Sequence, residues 1–208
     1  PIYRYRFSPF KDFFDNFYDT RTFSLDEDKM FDIYSPRGKS DLLIVGFNSA
    51  MRTSPFGNGD KQGIVTKEVI DNAISEVNKI DSSEYAVKIA VWHHAFLSAE
   101  NNDPSFENEI IDKLSKAGFC LILHGHIHKP LNQHFSNIDF DRSEVHKFGV
   151  GTVSINVKKP SKWPQQYQVI EIDKENSTLK IFARHLIGSE WTSASIFPKE
   201  QSNVTLEI

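Results

Sequence analysis

The sequence predicts an α/β fold in which at least some strands of the sheet run parallel. Three short apolar runs rich in β-branched residues are typical of buried strands: Asp41–Phe47, Val87–Trp92 and Phe119–Leu123. Two amphipathic stretches with helix-capping signals separate them, so strand and helix alternate along the chain. This alternation is typical of βαβ units, whose successive strands run parallel in one sheet.

The first predicted element is an amphipathic helix over about residues 9–19. Phenylalanines recur there at the i, i+3, i+4, i+7 spacing of one helix face, at Phe10, Phe13, Phe14 and Phe17. Polar residues lie between them. We expect this aromatic stripe to face a core; a surface for a partner or a membrane is the alternative.

Two further helices have recognisable ends. Thr66 is a good N-cap for a helix over about residues 66–80, and an apolar stripe continues through that segment. A second helix is predicted over Pro104–Ala117, with the proline near its first turn and Gly118 as its stop. The stretch Arg52–Gly63 is rich in glycine and predicts a loop.

The last third of the chain changes to a β-rich pattern. Phe148–Val157 is predicted as a strand, and Tyr167–Ile172 and Thr178–Ala183 as the two strands of a hairpin. The segment after Ile187 is weakly patterned. The basic run Lys158–Lys162 predicts a solvated loop, with a phosphate-contacting loop as the alternative.

Composition sets the broad class. A chain of 208 residues with 39% hydrophobic and 25% charged residues suits one soluble domain. The net charge of −4 does not indicate an extended nucleic-acid surface, although it leaves room for a local basic groove. The one cysteine, Cys120, lies in an apolar run and predicts a buried thiol in a reducing compartment. We therefore expect a cytoplasmic protein with no membrane span.

Histidines follow two of the predicted strands. Gly125 leads to His126 and His128 after one apolar run, and His93 and His94 follow another. Imidazoles are common ligands of transition metals, and the ends of two neighbouring strands lie close together. The pattern predicts a metal site at the edge of the sheet; a merely polar, histidine-rich surface loop is the alternative.

These residues resemble the calcineurin-like metallophosphoesterases. Gly125–His128 is similar to the closing Gly-His-x-His motif of that family, and Trp92–Ala95 to its upstream strand-His-His element. Other segments resemble the strand before that element and the C-terminal strands of the family's second sheet: Gly46–Ser49, Phe148–Val153, Tyr167–Ile172 and Leu179–Arg184. The resemblance implies a four-layer α/β/β/α sandwich.

The resemblance also implies roles for the histidines. His93 and His126 would share one metal, His128 would bind the other, and His94 would act in catalysis by contacting substrate. The family uses two divalent transition metal ions, here Mn, Fe, Zn or Ni, to activate a hydroxide that attacks phosphorus.

The chain departs from the family in its earlier motifs. It contains no Asp-x-His, and its look-alikes of the other two motifs, Gly57–Asp60 and Gly59–Gly63, overlap in one loop. Asn48 is a candidate for a substitute ligand, although the pattern favours a structural asparagine at the end of a strand. We therefore expect residues 1–208 to be a single, incomplete domain that lacks its N-terminal strands. Its sheet edge would be exposed unless a complementing chain or further domains cover it.

Three functions remain open. The first is a metal-dependent phosphoesterase that hydrolyses a phosphomonoester or phosphodiester, represented here by its C-terminal portion. The second is a non-catalytic module with the phosphoesterase fold that binds a partner or a ligand. The third is a hydrolase with one metal ion held by the three histidines alone. The substrate within the class of phosphate esters cannot be read from the pattern.

Overall fold

The structure is a computed structural model that describes residues 2–18, 21–36, 41–51, 63–80, 87–94, 105–126, 131–135, 145–151, 153, 164–173, 175–194 and 203–207. A 3₁₀ turn, Ile2–Phe7, leads into helix α1 (Ser8–Phe17); the other helices are α2 (Lys67–Lys79) and α3 (Phe106–Lys116). A second 3₁₀ turn covers Glu27–Lys29. The strands are β1 (Phe31–Tyr34), β2 (Leu42–Phe47), β3 (Val87–Trp92), β4 (Phe119–His124), β5 (Leu131–Phe135), β6 (Val145–Gly149), β7 (Gln166–Asp173), β8 (Thr178–Ile187), β9 (Glu190–Ser193) and β10 (Asn203–Glu207).

The first sheet has six strands in the order β1-β2-β3-β4-β6-β5. Strands β2, β3, β4 and β6 run parallel, and β1 and β5 pair antiparallel at the two sides. The prediction of a mixed α/β fold is confirmed. Since the four parallel strands point the same way, their carboxyl ends meet along one edge of the sheet, where the chain emerges at Asn48, His93, Gly125 and Val150.

Helices α2 and α3 cover one face of this sheet. Their apolar stripes, including Val69, Ile70, Ile110 and Leu114, pack on inward-facing residues of β2, β3 and β4. The Thr66 hydroxyl accepts a hydrogen bond from the Val69 amide at 3.3 Å, which is the predicted N-cap.

A second, antiparallel sheet packs on the opposite face. Its path is β10-β8-β7, and β9 also pairs with β8. Leu179, Ile181 and Ala183 of β8 form a buried cluster with Leu121 and Phe148 of the first sheet. The described elements thus form a helix layer and two sheet layers, while the four-layer arrangement stays a prediction. None of the described helices has the length and apolarity to cross a membrane.

The aromatic stripe of α1 does not face a core, which corrects the prediction from its spacing. Phe13 is 58% and Phe17 is 65% exposed, and no residue of α1 is fully buried. The rings pack on one another and on Phe23, whose ring meets that of Phe10 edge-on at 5.0 Å. The helix period was correct, but the stripe is satisfied by local aromatic packing rather than by the sheet.

Several boundaries also differ from the predictions. Strands β1, β5, β9 and β10 were not predicted. The strand expected over Phe148–Val157 begins earlier, as Val145–Gly149, and residues 152 and 154–157 lie outside the described residues. Helix α3 begins at Phe106, and Pro104 lies outside the described residues. Gly118 has a φ of 82°, the left-handed geometry expected of a helix stop. Strand β1 pairs antiparallel with β2 and lies at one side of the first sheet.

Candidate functional site

Three histidines meet at the carboxyl edge of the parallel strands. The ring centroids of His93 and His94 lie 5.1 Å apart, those of His93 and His126 5.0 Å, and those of His94 and His126 4.7 Å. His93 is exposed, whereas His94 is buried, with 3% of its surface exposed. The cluster therefore has a solvent-exposed side at His93 and a buried side at His94.

His93 and His126 approach through their ring nitrogens. His93 Nε2 lies 3.1 Å from His126 Nδ1, a hydrogen-bond distance when one of the two nitrogens carries a proton. Two ligands of one tetrahedral metal ion are separated by about 3.3 Å when each metal–nitrogen bond is about 2.0–2.1 Å. The Gly125 amide donates to the His93 carbonyl at 3.0 Å and fixes the ends of β3 and β4 relative to each other.

His126 has a backbone conformation that few side chains adopt. Its φ is 68°, in the left-handed region. Such a conformation costs on the order of 1–3 kcal/mol and persists where the surroundings determine it. The turn directs the His126 imidazole back toward His93 rather than along the strand direction. The left-handed backbone therefore accompanies the close approach of the two rings.

Ser49 organises the buried side of the cluster. Its hydroxyl accepts hydrogen bonds from the amides of His93 at 3.1 Å and His94 at 3.3 Å, and lies 2.8 Å from His94 Nδ1. A hydroxyl has two acceptor positions and one donor. Because the two amides use both acceptor positions, the hydroxyl proton points to His94 Nδ1, and in the neutral ring the imidazole proton lies on Nε2.

Gly63 closes the back of the same cluster. A Cβ atom at this position would lie 2.7 Å from His94 Cβ and 2.8 Å from Ser49 Cβ, so no side chain fits. The Ile64 amide donates to the Ser49 carbonyl at 3.0 Å and holds this segment in place. The sequence suggested a loop glycine here; its contact with the histidines comes from the tertiary fold.

His124, the last residue of β4, is a further buried imidazole at this edge. Burial, and then the nearby Lys147, lower the pKa of His124 from 6.5 to about 4, so the ring is neutral at neutral pH. Its Nε2 and the indole nitrogen of Trp92, its register partner on β3, have no hydrogen-bond partner among the described residues. His124 was not predicted as a site residue, because a histidine inside an apolar run is interpreted as part of the strand.

Lys147 lies behind His124 on β6. It is 0% exposed and forms an ion pair with Glu107 of α3. Burial lowers the pKa of the Lys147 ammonium, and Glu107 opposes that shift. This pair attaches α3 to the strand beside β4, and its positive charge helps to keep His124 neutral.

A cavity of about 570 Å³ opens at the histidine edge. Its walls come from the ends of the parallel strands and are largely apolar: Gly46, Phe47, Val91, Trp92, His93, Leu123, His124, Gly125 and Val150. Pockets of this size and lining are typical of small-molecule sites.

The predicted site residues are distributed as follows. His93, His94 and His126 lie together, whereas His128 lies outside the described residues, as do Gly57–Asp60. Asn48 has a role in the turn, since its Oδ1 accepts from the Ala50 amide at 3.1 Å and its amide group lies 3.5 Å from Met30 Sδ. Within the described ranges, no three or more His, Cys, Asp or Glu side chains are arranged to hold a metal ion.

Comparisons with known proteins leave the family open. No protein-family model matches the chain. No curated protein matches it either. Among solved structures, it is similar to GAP50, "the anchor in the inner membrane complex of Plasmodium", at 12% identity and a TM-score of 0.42, over 86% of this chain and 52% of that one. The chain thus spans about half the length of GAP50.

Two other solved structures are similar to the chain. Vps29 from Entamoeba histolytica has 12% identity and a TM-score of 0.30, over 73% of this chain and 95% of that one. A hypothetical protein from Thermus thermophilus has 13% identity and a TM-score of 0.34, over 86% of this chain and 62% of that one. Vps29, a protein with the calcineurin-like metallophosphoesterase fold, is therefore a structural neighbour at low similarity.

Proposed function

We propose that the histidine edge forms part of a divalent metal centre that hydrolyses phosphate esters. The observation that carries the proposal is the meeting of His93, His94 and His126 at the carboxyl ends of β3 and β4. In open α/β sheets, ligands bind outside the carboxyl ends of the strands. The cavity beside the histidines offers room for a substrate.

The described donors account for one metal ion of the proposed centre. His93 Nε2 and His126 Nδ1 are 3.1 Å apart, close to the spacing of two imidazole ligands on one ion. His94 is less suited to a third ligand through Nδ1, because that nitrogen faces the Ser49 hydroxyl. In this proposal His93 and His126 hold one ion of Mn, Fe, Zn or Ni, and His128 contributes to a second.

A bound ion would supply Lewis-acid polarisation of a phosphoryl oxygen and a water of lowered pKa. The chain's own residues supply orientation. Ser49 Oγ faces His94 Nδ1, so in this proposal His94 would meet a phosphoryl oxygen through Nε2–H. Gly63 packs so closely on His94 that a side chain at position 63 would meet its imidazole.

A non-catalytic binding module is the second candidate. It is favoured by one observation: the described residues contain no group of three or more metal-binding side chains in a suitable arrangement. The dimetal mechanism that the resemblance implies needs a bridging carboxylate, and the chain has no Asp-x-His motif to supply it. A module of this kind would use the cavity for binding without hydrolysis.

Metal content and hydrolysis in the natural protein test the proposal together. The natural protein and its His93→Ala, His94→Ala and His126→Ala variants are loaded with Mn or Zn, dialysed and measured by elemental analysis. Hydrolysis of a generic aryl phosphate and a bis-aryl phosphodiester is then followed. His185→Ala is the matched control, because His185 lies in the second sheet on β8.

The outcomes separate the candidates. We expect the His93 and His126 variants to lose metal, and the His94 variant to keep metal while losing hydrolysis. Two ions per chain would support the dimetal centre, and one ion would favour a mononuclear hydrolase. Unchanged metal content in the His93 and His126 variants, or no metal and no hydrolysis in the natural protein, would refute the proposal and leave the binding module.

A further inference from the structure

We propose that a second cavity, between the two sheets, binds the leaving group of the phosphate ester, and that this group is an aromatic ring carrying an N–H or O–H donor. The cavity has a volume of about 320 Å³, within the range of small-molecule sites. The inference rests on the proposed phosphoesterase function, and it deepens that function by naming a substrate class.

The cavity is largely apolar. Leu123 and Phe148 of the first sheet form one wall, and Tyr167 and Ile170 of β7 form another. Apolar walls with aromatic side chains favour a flat, apolar ring over a sugar or a charged group.

Gln166 provides the one polar feature on which the proposal depends. This residue lines the cavity, is 4% exposed, and its Oε1 has no hydrogen-bond partner among the described residues. A buried amide oxygen without a partner is costly, and a ligand donor would satisfy it. The ligand therefore has to bring an N–H or an O–H to this end of the cavity.

The backbone is shaped to hold this amide. A Cβ atom at Gly151 would lie 2.5 Å from Gln166 Oε1 and 2.8 Å from Gln166 Cβ, so a side chain at Gly151 would displace the amide. The neighbouring Gln168 is engaged elsewhere, because its Nε2 donates to the Gly149 carbonyl at 3.3 Å. Gln166 is thus positioned as an acceptor, and Gln168 ties the two sheets together.

The two cavities are neighbours. Leu123, His124 and Val150 line both the cavity between the sheets and the cavity at the histidine edge. In this proposal a phosphate ester places its phosphoryl group at the histidines and its ring between the sheets. In hydrolysis, water adds to phosphorus, the bond between phosphorus and the ring oxygen breaks, and the phenol leaves with the proton.

The test uses two esters that differ in the donor alone. In 4-aminophenyl phosphate the ring carries an amine, and in 4-methylphenyl phosphate a methyl group of similar size; the two phenols have similar acidity. We expect the metal-loaded natural protein to favour the amine by about five- to tenfold in kcat/KM, the worth of one hydrogen bond. Gln166→Met should reduce this preference to less than about twofold, because the variant can no longer accept a hydrogen bond from the amine.

Two further variants and a binding measurement separate the role of the Gln166 amide from other effects of substitution. Gly151→Ala should also reduce the preference, because its methyl group displaces the Gln166 amide. Gln165→Met makes the same chemical change one residue earlier. Gln165 does not line the cavity, but its side-chain amide donates to the carbonyl of Val153, which does, so this variant controls for a change in cavity shape without loss of the Gln166 acceptor. Binding of 4-aminophenol and 4-methylphenol is measured separately by ligand-observed NMR, and thermal unfolding confirms that each variant is folded.

Each outcome has a distinct meaning. A preference for the amine in both assays that disappears in Gln166→Met supports the proposal. Selective binding of 4-aminophenol without hydrolysis of either ester would retain the donor-selective pocket, but refute its role as a leaving-group site together with the proposed phosphoesterase function. Hydrolysis without a preference, or with a preference that Gln166→Met leaves unchanged, would overturn the pocket while leaving the phosphoesterase function in place.

Discussion

Replacing Glu107 by Gln should destabilise the protein strongly, because it removes the negative partner of a buried lysine. Lys147 is 0% exposed and its ammonium is paired with Glu107 across the interface between β6 and α3. The glutamine is similar in shape, so the packing changes little. What changes is that the buried Lys147 ammonium faces a neutral amide in place of the Glu107 carboxylate.

The size of the effect follows from the burial. Breaking a buried ion pair by removing one partner typically costs about 3–5 kcal/mol. For a domain of about 150–250 residues, each 1 kcal/mol lowers Tm by roughly 2–4 °C, so we expect a loss of roughly 6–20 °C. The double variant Glu107→Gln, Lys147→Met removes both charges of this pair, and should recover most of this loss.

The loss in free energy of unfolding caused by Glu107→Gln should also depend on pH. Burial lowers the pKa of Lys147 below its unfolded value of 10.5, and losing Glu107 lowers the pKa further. Between the folded-state pKa and 10.5 the unfolded chain binds more protons, so stability rises with pH. The loss of stability relative to the natural protein is therefore full below the folded-state pKa of Lys147 in the variant, and narrows as the pH rises from that pKa to the folded-state pKa of Lys147 in the natural protein.

Urea unfolding at neutral and alkaline pH measures both effects. Glu109→Gln is the matched control, since Glu109 lies on the same helix and pairs with the exposed Lys67; its loss should stay below about 1 kcal/mol. The reasoning would be refuted if Glu107→Gln cost no more than this control, or if its deficit grew with pH.

Three other changes give distinct expectations. Ser49→Ala leaves two buried amides and His94 Nδ1 without their common partner, so we expect a loss of about 1–3 kcal/mol in urea unfolding and a larger fall in kcat than in metal affinity. The pair Phe13→Gln and Phe17→Gln changes exposed rings, so stability should change by less than about 1 kcal/mol; a loss of the size seen for core phenylalanines would restore the prediction that the stripe is buried. His126→Gly relieves a left-handed backbone and should leave stability within about 1 kcal/mol, while zinc affinity, measured by calorimetric titration, falls at least about tenfold; unchanged affinity would remove this residue from the proposed centre.

The central part of the fold could be predicted because its signals are local. The segments that became β2, α2, β3, α3 and β4 are each long enough, and apolar enough on the buried side, to show their own period. Strand β5 has the mixed sequence Leu-Asn-Gln-His-Phe and is a strand through its pairing with β6. Such pairing is set by distant residues, and a short window of sequence does not contain it.

The candidate site also contains residues with a local sequence signal and residues whose role depends on distant contacts. His93 and His126 were found because glycine and apolar strands precede the histidines, a pattern visible in the sequence. Ser49 and Gly63 were missed as site residues, because their roles depend on contacts with His94 from distant parts of the chain. Lys147 was missed because a lysine in a strand suggests an exposed face, and its partner Glu107 lies 40 residues earlier.

Trp92 gives the histidine edge an internal optical reporter. Its indole is buried, lines the larger cavity and immediately precedes His93, whereas Trp191 is 42% exposed on β9. A buried indole emits at shorter wavelength than an exposed one, so the two residues contribute to different parts of the fluorescence spectrum. Of the three tryptophans, Trp163 lies outside the described residues, and replacing it and Trp191 by phenylalanine would leave Trp92 as the sole source of indole emission. Occupation of the cavity by an ion or an ester could then be followed in real time without an added label, including in variants that bind but do not turn over.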